Sequence, residues 1–280
     1  MSGIGAVVTT AWLAEHLRDE RVRVVDGSWH LAGAGRDAAK EFREGHVPGA
    51  VFFDIDAVSD RASSLPHMLP RPEDFGRAVS ELGIGDGDRV IVYDASDVRS
   101  AARVWWTFRA FGHDDVAILD GGLRKWRAEG RPAETGPASP RPASFSARPR
   151  PSLVRDLAAV RANLTTGTAQ VVDARSRGRF AGTEPEPRPG LRGGHIPGSV
   201  SLPFQELYAP DGTLRPPPAL RAVFAGAGVD LGRPAITTCG SGVTAASLLL
   251  ALHTLGHGDV ALYDGSWAEW GGRDDTPVQR

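Results

Sequence analysis

A single cysteine, Cys239, in a chain of 280 residues excludes an intrachain disulfide and any metal site assembled from several thiolates. Long apolar runs are also missing. No stretch reaches about 18 consecutive apolar residues, so no helical membrane span is expected. The first residues lack a basic stretch followed by an apolar core, so no secretory leader is expected, and a reducing, cytoplasmic setting fits the lone thiol. Charge of one sign is absent too. The 32 Lys and Arg nearly balance the 34 Asp and Glu, leaving a net charge of −2, which supports neither a nucleic-acid nor an anionic-membrane partner. Acidic pairs such as Asp54/Asp56 and Asp114/Asp115 lack histidines at metal-ligand spacing, so they read as turn and cap residues and no metal or organic cofactor is expected. What remains is an ordinary globular composition, 41% hydrophobic and 24% charged, at a length that suggests two domains.

Those two domains are visible as an internal repeat. Val24-Val25-Asp26 recurs as Val171-Val172-Asp173, and Gly45-His46-Val47-Pro48-Gly49 as Gly194-His195-Ile196-Pro197-Gly198. Gly112-His113 and Asp115-Val116 recur as Gly256-His257 and Asp259-Val260. Leu119-Asp120-Gly121-Gly122 with Trp126 recurs as Tyr263-Asp264-Gly265-Ser266 with Trp270. The order is the same in both halves, which indicates a duplicated domain and not a solenoid of short repeats. Between the halves, residues 131–151 carry Pro132, Pro137, Pro140, Pro142, Pro149 and Pro151 and read as an extended linker. The expected division is 1–131, a linker over 132–151, and 152–280.

Within each copy, short apolar strands alternate with helical segments. Val7-Val8, Val22 to Val25, Val51 to Asp54, Arg89 to Tyr93 and Val116 to Leu119 read as strands. Helices are expected over Ala11 to Leu17, Ala101 to Phe111 and up to Ala128, then in the second copy over Ala219 to Ala225 and Ala245 to Leu255. This alternation predicts an α/β fold, each copy an open, mostly parallel sheet with helices on both faces. Trp105, Trp106, Trp126, Trp267 and Trp270 are read as packing material.

Cys239 opens Cys-Gly-Ser-Gly-Val-Thr-Ala, between the strand-like Ala235-Ile236-Thr237-Thr238 and the helix from Ala245. Successive N–H groups in such a small-residue loop can converge on one centre, and the start of the helix adds unpaired donors and a positive dipole end. Both favour an anion, either a thiolate or something bound beside it. Ligands of open parallel sheets lie beyond the carboxyl ends of the strands, where Cys239 falls. Spacing from the preceding strand aligns Asp94 of the first copy with Cys239, and Asp97 with Gly242. The first copy therefore lacks a nucleophile and is expected to be a catalytically silent scaffold.

The paired domains, the Gly-His-Ile-Pro-Gly segment and the loop opening with Cys239 resemble the rhodanese-type sulfurtransferases over essentially the whole chain. Within that group the loop is similar to that of enzymes using 3-mercaptopyruvate, because Gly240 and Ser241 stand where thiosulfate-using relatives usually carry basic residues. The stretch from Asp173 to Arg188 supports the resemblance. It implies that Arg179 and Arg188 bind the donor's carboxylate and carbonyl oxygens, for which a planar guanidinium fork is suited. An alternative for these arginines is pairing with Glu184 and Glu186. Arg175 and Arg177 are read as structural. The resemblance further implies Cys239 as the nucleophile and Gly240, Gly242, Val243 and Thr244 as the cradle of the transferred sulfur. Ser241 is a catalytic candidate that passes a proton or bonds the persulfide. His46 is a possible proton relay, with Asp37 a further candidate. For His195 the favoured role is a turn in which the ring bonds to backbone.

The implied reaction is ping-pong: sulfur passes from 3-mercaptopyruvate to Cys239 with release of pyruvate, then to a thiol, cyanide, or a thioredoxin-like or sulfur-carrier protein. A thiosulfate:cyanide sulfurtransferase is the nearest alternative. A non-enzymatic persulfide carrier is one of another class. A cysteine phosphatase would need Cys-x5-Arg, and position 245 is Ala. Nothing demands an oligomer, so a monomer is expected.

Overall fold

The computed structural model describes residues 4–280. The chain forms two compact units. In the first, β1 (Val7–Val8), α1 (Thr10–His16), β2 (Val22–Asp26), α2 (Ala38–Glu44), β3 (Val51–Phe52), α3 (Pro72–Glu81), β4 (Arg89–Tyr93), α4 (Ala101–Ala110), β5 (Val116–Leu119) and α5 (Gly122–Ala128) follow in order. In the second come β6 (Val154–Arg155), α6 (Leu157–Thr166), β7 (Gln170–Asp173), α7 (Arg177–Ala181), β8 (Val200–Ser201), α8 (Pro217–Gly226), β9 (Ala235–Thr238), α9 (Ala245–Thr254), β10 (Val260–Tyr263) and α10 (Ser266–Trp270). Among the described residues no helix is long and apolar enough to cross a membrane.

Each unit holds a five-stranded, wholly parallel sheet. The orders are β1-β5-β4-β2-β3 and β6-β10-β9-β7-β8, the same topology twice. The central strands β4 and β9 are apolar or small at nearly every position and almost wholly buried, as parallel strands covered on both faces require. Helix starts follow local chemistry. Thr9, Asp37 and Asp156 cap α1, α2 and α6 by accepting N–H groups of the first turn. Pro72 and Pro217 open α3 and α8, where a missing N–H costs nothing. Trp105, Trp106, Trp126, Trp267 and Trp270 are all fully buried.

The domain boundary differs from the sequence expectation. Residues 131–150 form no helix or strand, apart from an isolated antiparallel bridge between His46 and Glu134, yet they pack onto the first unit. Phe145 is buried edge-on against Phe75 and Phe108, its N–H donates to Ser80 Oγ at 3.0 Å, and Arg150 forks onto Asp114. Proline keeps this strap out of a ladder, but aromatic burial outweighs the freedom a linker would retain. The second unit starts at Pro151. It also takes in Ala62–Met68, while the first takes in Pro210–Leu214.

Candidate active site

Cys239 follows directly on the carboxyl end of β9 and is 2% exposed. Three contacts fix the main chain of Cys239 and Gly240. The Cys239 carbonyl accepts Trp267 N–H at 2.9 Å, the Gly240 carbonyl accepts Ala268 N–H at 2.8 Å, and Cys239 N–H donates to Ser266 Oγ at 3.2 Å. Ser266 is fully buried with φ +49, a left-handed conformation costing a non-glycine residue roughly 1–2 kcal/mol. Its hydroxyl also donates to the Tyr263 carbonyl at 2.8 Å. The strain at Ser266 is thus tied to the cysteine loop.

The rest of the loop matches an anion cradle. Gly242 turns at φ +77, where a Cβ would be strained. Among the described residues, the N–H groups of Gly240, Ser241, Val243 and Thr244 have no protein acceptor. Beyond them α9 starts at Ala245 with no side-chain cap. These donors and the helix start favour negative charge at the loop centre.

A guanidinium completes the site. Arg179 lies on α7, whose start is capped by Ser176 Oγ and whose end turns through Gly182 at φ +71. Its Nη2 sits 2.9 Å from the point a Cβ on Gly240 would occupy, so the guanidinium rests on the cysteine loop. The same group is paired with Glu186, at 2.5 Å from Nη2 and 3.2 Å from Nε. The pairing alternative is therefore realised for Arg179, together with a position beside the loop. Glu184 instead accepts Ser176 Oγ. Arg188 stands two residues beyond Glu186 and is half-buried. Arg177 is exposed and pairs with Glu206. Arg175 is buried, held by both oxygens of Asp173, by Glu186 and by the Gly194 carbonyl, and lies 4.2 Å over the Trp267 ring. Burial opposes its charge, but Asp173 and Glu186 outweigh that and raise its pKa.

Ser241 is 5% exposed, and its Oγ lies 3.0 Å from Nδ1 of His67. His67 is buried at φ +62 within Ala62–Met68, the segment that packs in the second unit. No motif in the sequence singles it out. Its only local signal is a histidine in Leu-Pro-His-Met-Leu-Pro, and nothing in that string says which unit it joins. His46 is placed differently. Its Nδ1 donates to the Phe42 carbonyl at 2.8 Å and its ring stacks on Phe42 at 4.0 Å within the first unit. His195 repeats this arrangement on Phe180, at 2.9 and 3.7 Å. The two matching histidines thus brace matching turns, and the histidine within hydrogen-bond distance of Ser241 Oγ is His67. Asp37 caps α2 through Lys40 N–H.

The first unit shows the same loop filled from within. Asp94 stands at the place of Cys239, and its carboxylate accepts Ser96 N–H at 3.0 Å and Ala101 N–H at 2.7 Å. Burial pushes its pKa up to about 6 against those bonds. Gly122, at the place of Ser266, adopts φ +59, and a Cβ there would meet the Asp94 carbonyl at 2.4 Å.

Two stretches, residues 9–129 and 156–273, match the model of the rhodanese-like domain. The chain belongs to the rhodanese-like family. It is 47% identical to human 3-mercaptopyruvate sulfurtransferase over 95% of this chain and 91% of that protein. The same identity and coverage hold for a thiosulfate sulfurtransferase of Rattus norvegicus. Among solved structures it is similar to SseA from Escherichia coli, described as showing the rhodanese fold and catalytic mechanism of 3-mercaptopyruvate sulfotransferases. The TM-score is 0.87 and the identity 43%, covering 94% of this chain and 99% of that one. Rhodanese-like chemistry of this kind is sulfur transfer, and this chain is a sulfurtransferase. Overall identity does not separate the two donors, since relatives named for each match equally well.

Proposed function

We propose that this sulfurtransferase takes sulfur from 3-mercaptopyruvate through a persulfide on Cys239. The observation that carries the reading is the Arg179 guanidinium resting on Gly240, beside a thiol in a loop with four unclaimed N–H groups. A small dianion needs little more than the loop and a point charge. A keto acid has a planar carboxylate that suits a guanidinium fork. Arg179 holds that carboxylate, and Arg188 reaches the same donor from the following loop. Gly240 and Ser241 add no charge at the positions next to the thiol.

In the first half-reaction the Cys239 thiolate attacks the donor's thiol sulfur. The new S–S bond forms as the C–S bond breaks, and the electron pair goes to the departing carbon as the pyruvate enolate. The proton carried over on the outer sulfur passes through Ser241 and His67 to that carbon, giving pyruvate and an anionic persulfide. Gly240, Gly242, Val243 and Thr244 surround the outer sulfur, and the N–H groups of Gly240, Ser241, Val243 and Thr244 stabilise its charge. In the second half a thiol, cyanide, or a thioredoxin-like or sulfur-carrier protein attacks the outer sulfur. The S–S bond breaks and the thiolate returns. No metal or organic cofactor enters any step. The enzyme acts as a monomer in a reducing, cytoplasmic setting, which its lone cysteine suits.

Cys239→Ser tests the scheme. Pyruvate release from 3-mercaptopyruvate should vanish, and mass spectrometry of the wild-type protein after donor treatment should show one added sulfur on Cys239. Pyruvate formed at wild-type rate by the serine variant would sink the mechanism. A kcat/KM for thiosulfate above that for 3-mercaptopyruvate would transfer the donor assignment to thiosulfate.

A further inference from the structure

Behind Arg179 lies a buried chain of alternating charge. Asp173 holds Arg175, Arg175 Nη1 reaches Glu186 Oε1 at 2.7 Å, and Glu186 Oε2 holds Arg179. The side chains of Asp173, Arg175 and Glu186 are at most 2% exposed, whereas that of Arg179 is 21% exposed. Solvent access thus begins at the last member.

A guanidinium has two edges that can each grip a carboxylate. Glu186 Oε2 occupies the Nε/Nη2 edge of Arg179. Nη1 makes no hydrogen bond to the protein among the described residues, and both Nη1 and Nη2 lie within 4.0 Å of the Cβ position of Gly240. The Nη1/Nη2 edge is therefore the one turned to the sulfur-carrying loop. We infer that Glu186 is a positioning residue: anchored by Arg175, it takes one edge of Arg179 so that the other is presented to the donor's carboxylate beside Cys239. This rests on Arg179 being a donor ligand.

Charge and position act with opposite signs here. Glu186 is an anion next to the group that binds an anion, so removing its charge would by itself strengthen donor binding. Losing the clamp frees a side chain with several rotatable bonds and weakens it, since reacting groups displaced by about 1 Å can lose about 100-fold in rate. If positioning dominates, Glu186→Gln lowers activity.

The experiment measures Glu186→Gln, Arg179→Ala and the double variant, with each half-reaction read separately. Glu186→Gln is expected to lower kcat/KM for 3-mercaptopyruvate by about 10- to 100-fold, mostly through KM. In the Arg179→Ala background the same change should cost less than about 2-fold. Discharge of preformed persulfide to cyanide should match wild type, because Arg179 has no donor to hold in that step. Buried Arg175 loses an ionic partner in Glu186→Gln. If that variant does not fold, Glu186→Asp, which keeps the charge and shortens the reach, takes its place with the same readouts. Unchanged or raised kcat/KM in the Glu186 variant, with Arg179→Ala impaired, overturns the inference. So does an equal loss in both half-reactions, which marks general loosening of the site. Wild-type activity of Arg179→Ala removes the ligand assignment itself and the inference with it.

Discussion

One methyl group on Gly240 tests whether the guanidinium of Arg179 is held against the cysteine loop. Gly240 is outside the left-handed region, so Gly240→Ala brings no backbone strain, and a less flexible unfolded chain offers at most about 1 kcal/mol of stabilisation. The new Cβ lies 2.9 Å from Arg179 Nη2, against at least 3.4 Å for an ordinary contact, so one partner must move by about 0.5 Å. The loop cannot give easily, because Cys239 and Gly240 are pinned by Trp267, Ala268 and Ser266. Arg179 therefore retreats, stretching its bond to Glu186. A charge-assisted hydrogen bond to a donor carboxylate is worth roughly 1.5–3 kcal/mol. Losing about half of it gives roughly a 3- to 12-fold lower kcat/KM for 3-mercaptopyruvate. Pyruvate production at several donor concentrations supplies kcat and KM, and thermal unfolding checks the fold. The expected outcome is a Tm close to that of wild type with a kcat/KM lower by about 3- to 12-fold. A variant with wild-type kcat/KM would refute the placement of Arg179 as a donor ligand over the loop.

Two further outcomes are expected. Asp94 has its pKa raised from 3.8 to about 6 by burial, so between those values the folded chain binds a proton the unfolded chain has lost. Its stabilisation is complete below about pH 4 and disappears as the pH rises through 6, a swing of about 3 kcal/mol. Asp94→Asn, fixed as neutral, should gain on wild type by that amount in urea unfolding between about pH 4 and pH 8, and a pH-independent difference contradicts burial as the cause. His67→Asn keeps a residue type that tolerates positive φ but removes the relay. Pyruvate release should slow by about 100-fold while persulfide discharge to cyanide is unaffected, and an undiminished kcat excludes His67 from proton transfer.

Strands were the most readable part of the chain. β4, β5 and β9 fall where their apolar runs begin and end, because buried parallel strands need continuous apolar sequence. The loop at Cys239 was equally legible, since small residues at a strand-to-helix junction have few other uses. Three features were hidden. The strap over 131–150 looks like a spacer by composition, and only the packing of Phe145 reveals its attachment. His67 lies 174 residues from Ser241 in sequence, a pairing no local pattern encodes. His46 drew attention through its repeated Gly-His-x-Pro-Gly segment, but the motif marks a stacked, backbone-bonded turn in both copies.

The duplicated architecture places the two loops in matching positions with different side chains. Phe42 and Phe180 carry the stacked histidines of their units, which aligns the residues just before them, Glu41 and Arg179. Glu41 is engaged by Arg36 and His30, and Arg36 holds its pKa below the usual carboxylate value. The first unit therefore has Glu41 at the sequence position of Arg179 and Asp94 at that of Cys239, while a guanidinium reaches its loop from Arg36, which forks onto Glu41 and donates to the Ala95 carbonyl at 3.1 Å. Asp94 uses the N–H groups of Ser96 and Ala101 that an external anion would need. Replacing Asp94 by cysteine would release those donors while leaving Glu41 paired with Arg36. Both positions thus differ between the units. On the proposed reading, the chain of charges from Asp173 to Arg179 serves donor binding as Cys239 serves the sulfur-transfer step.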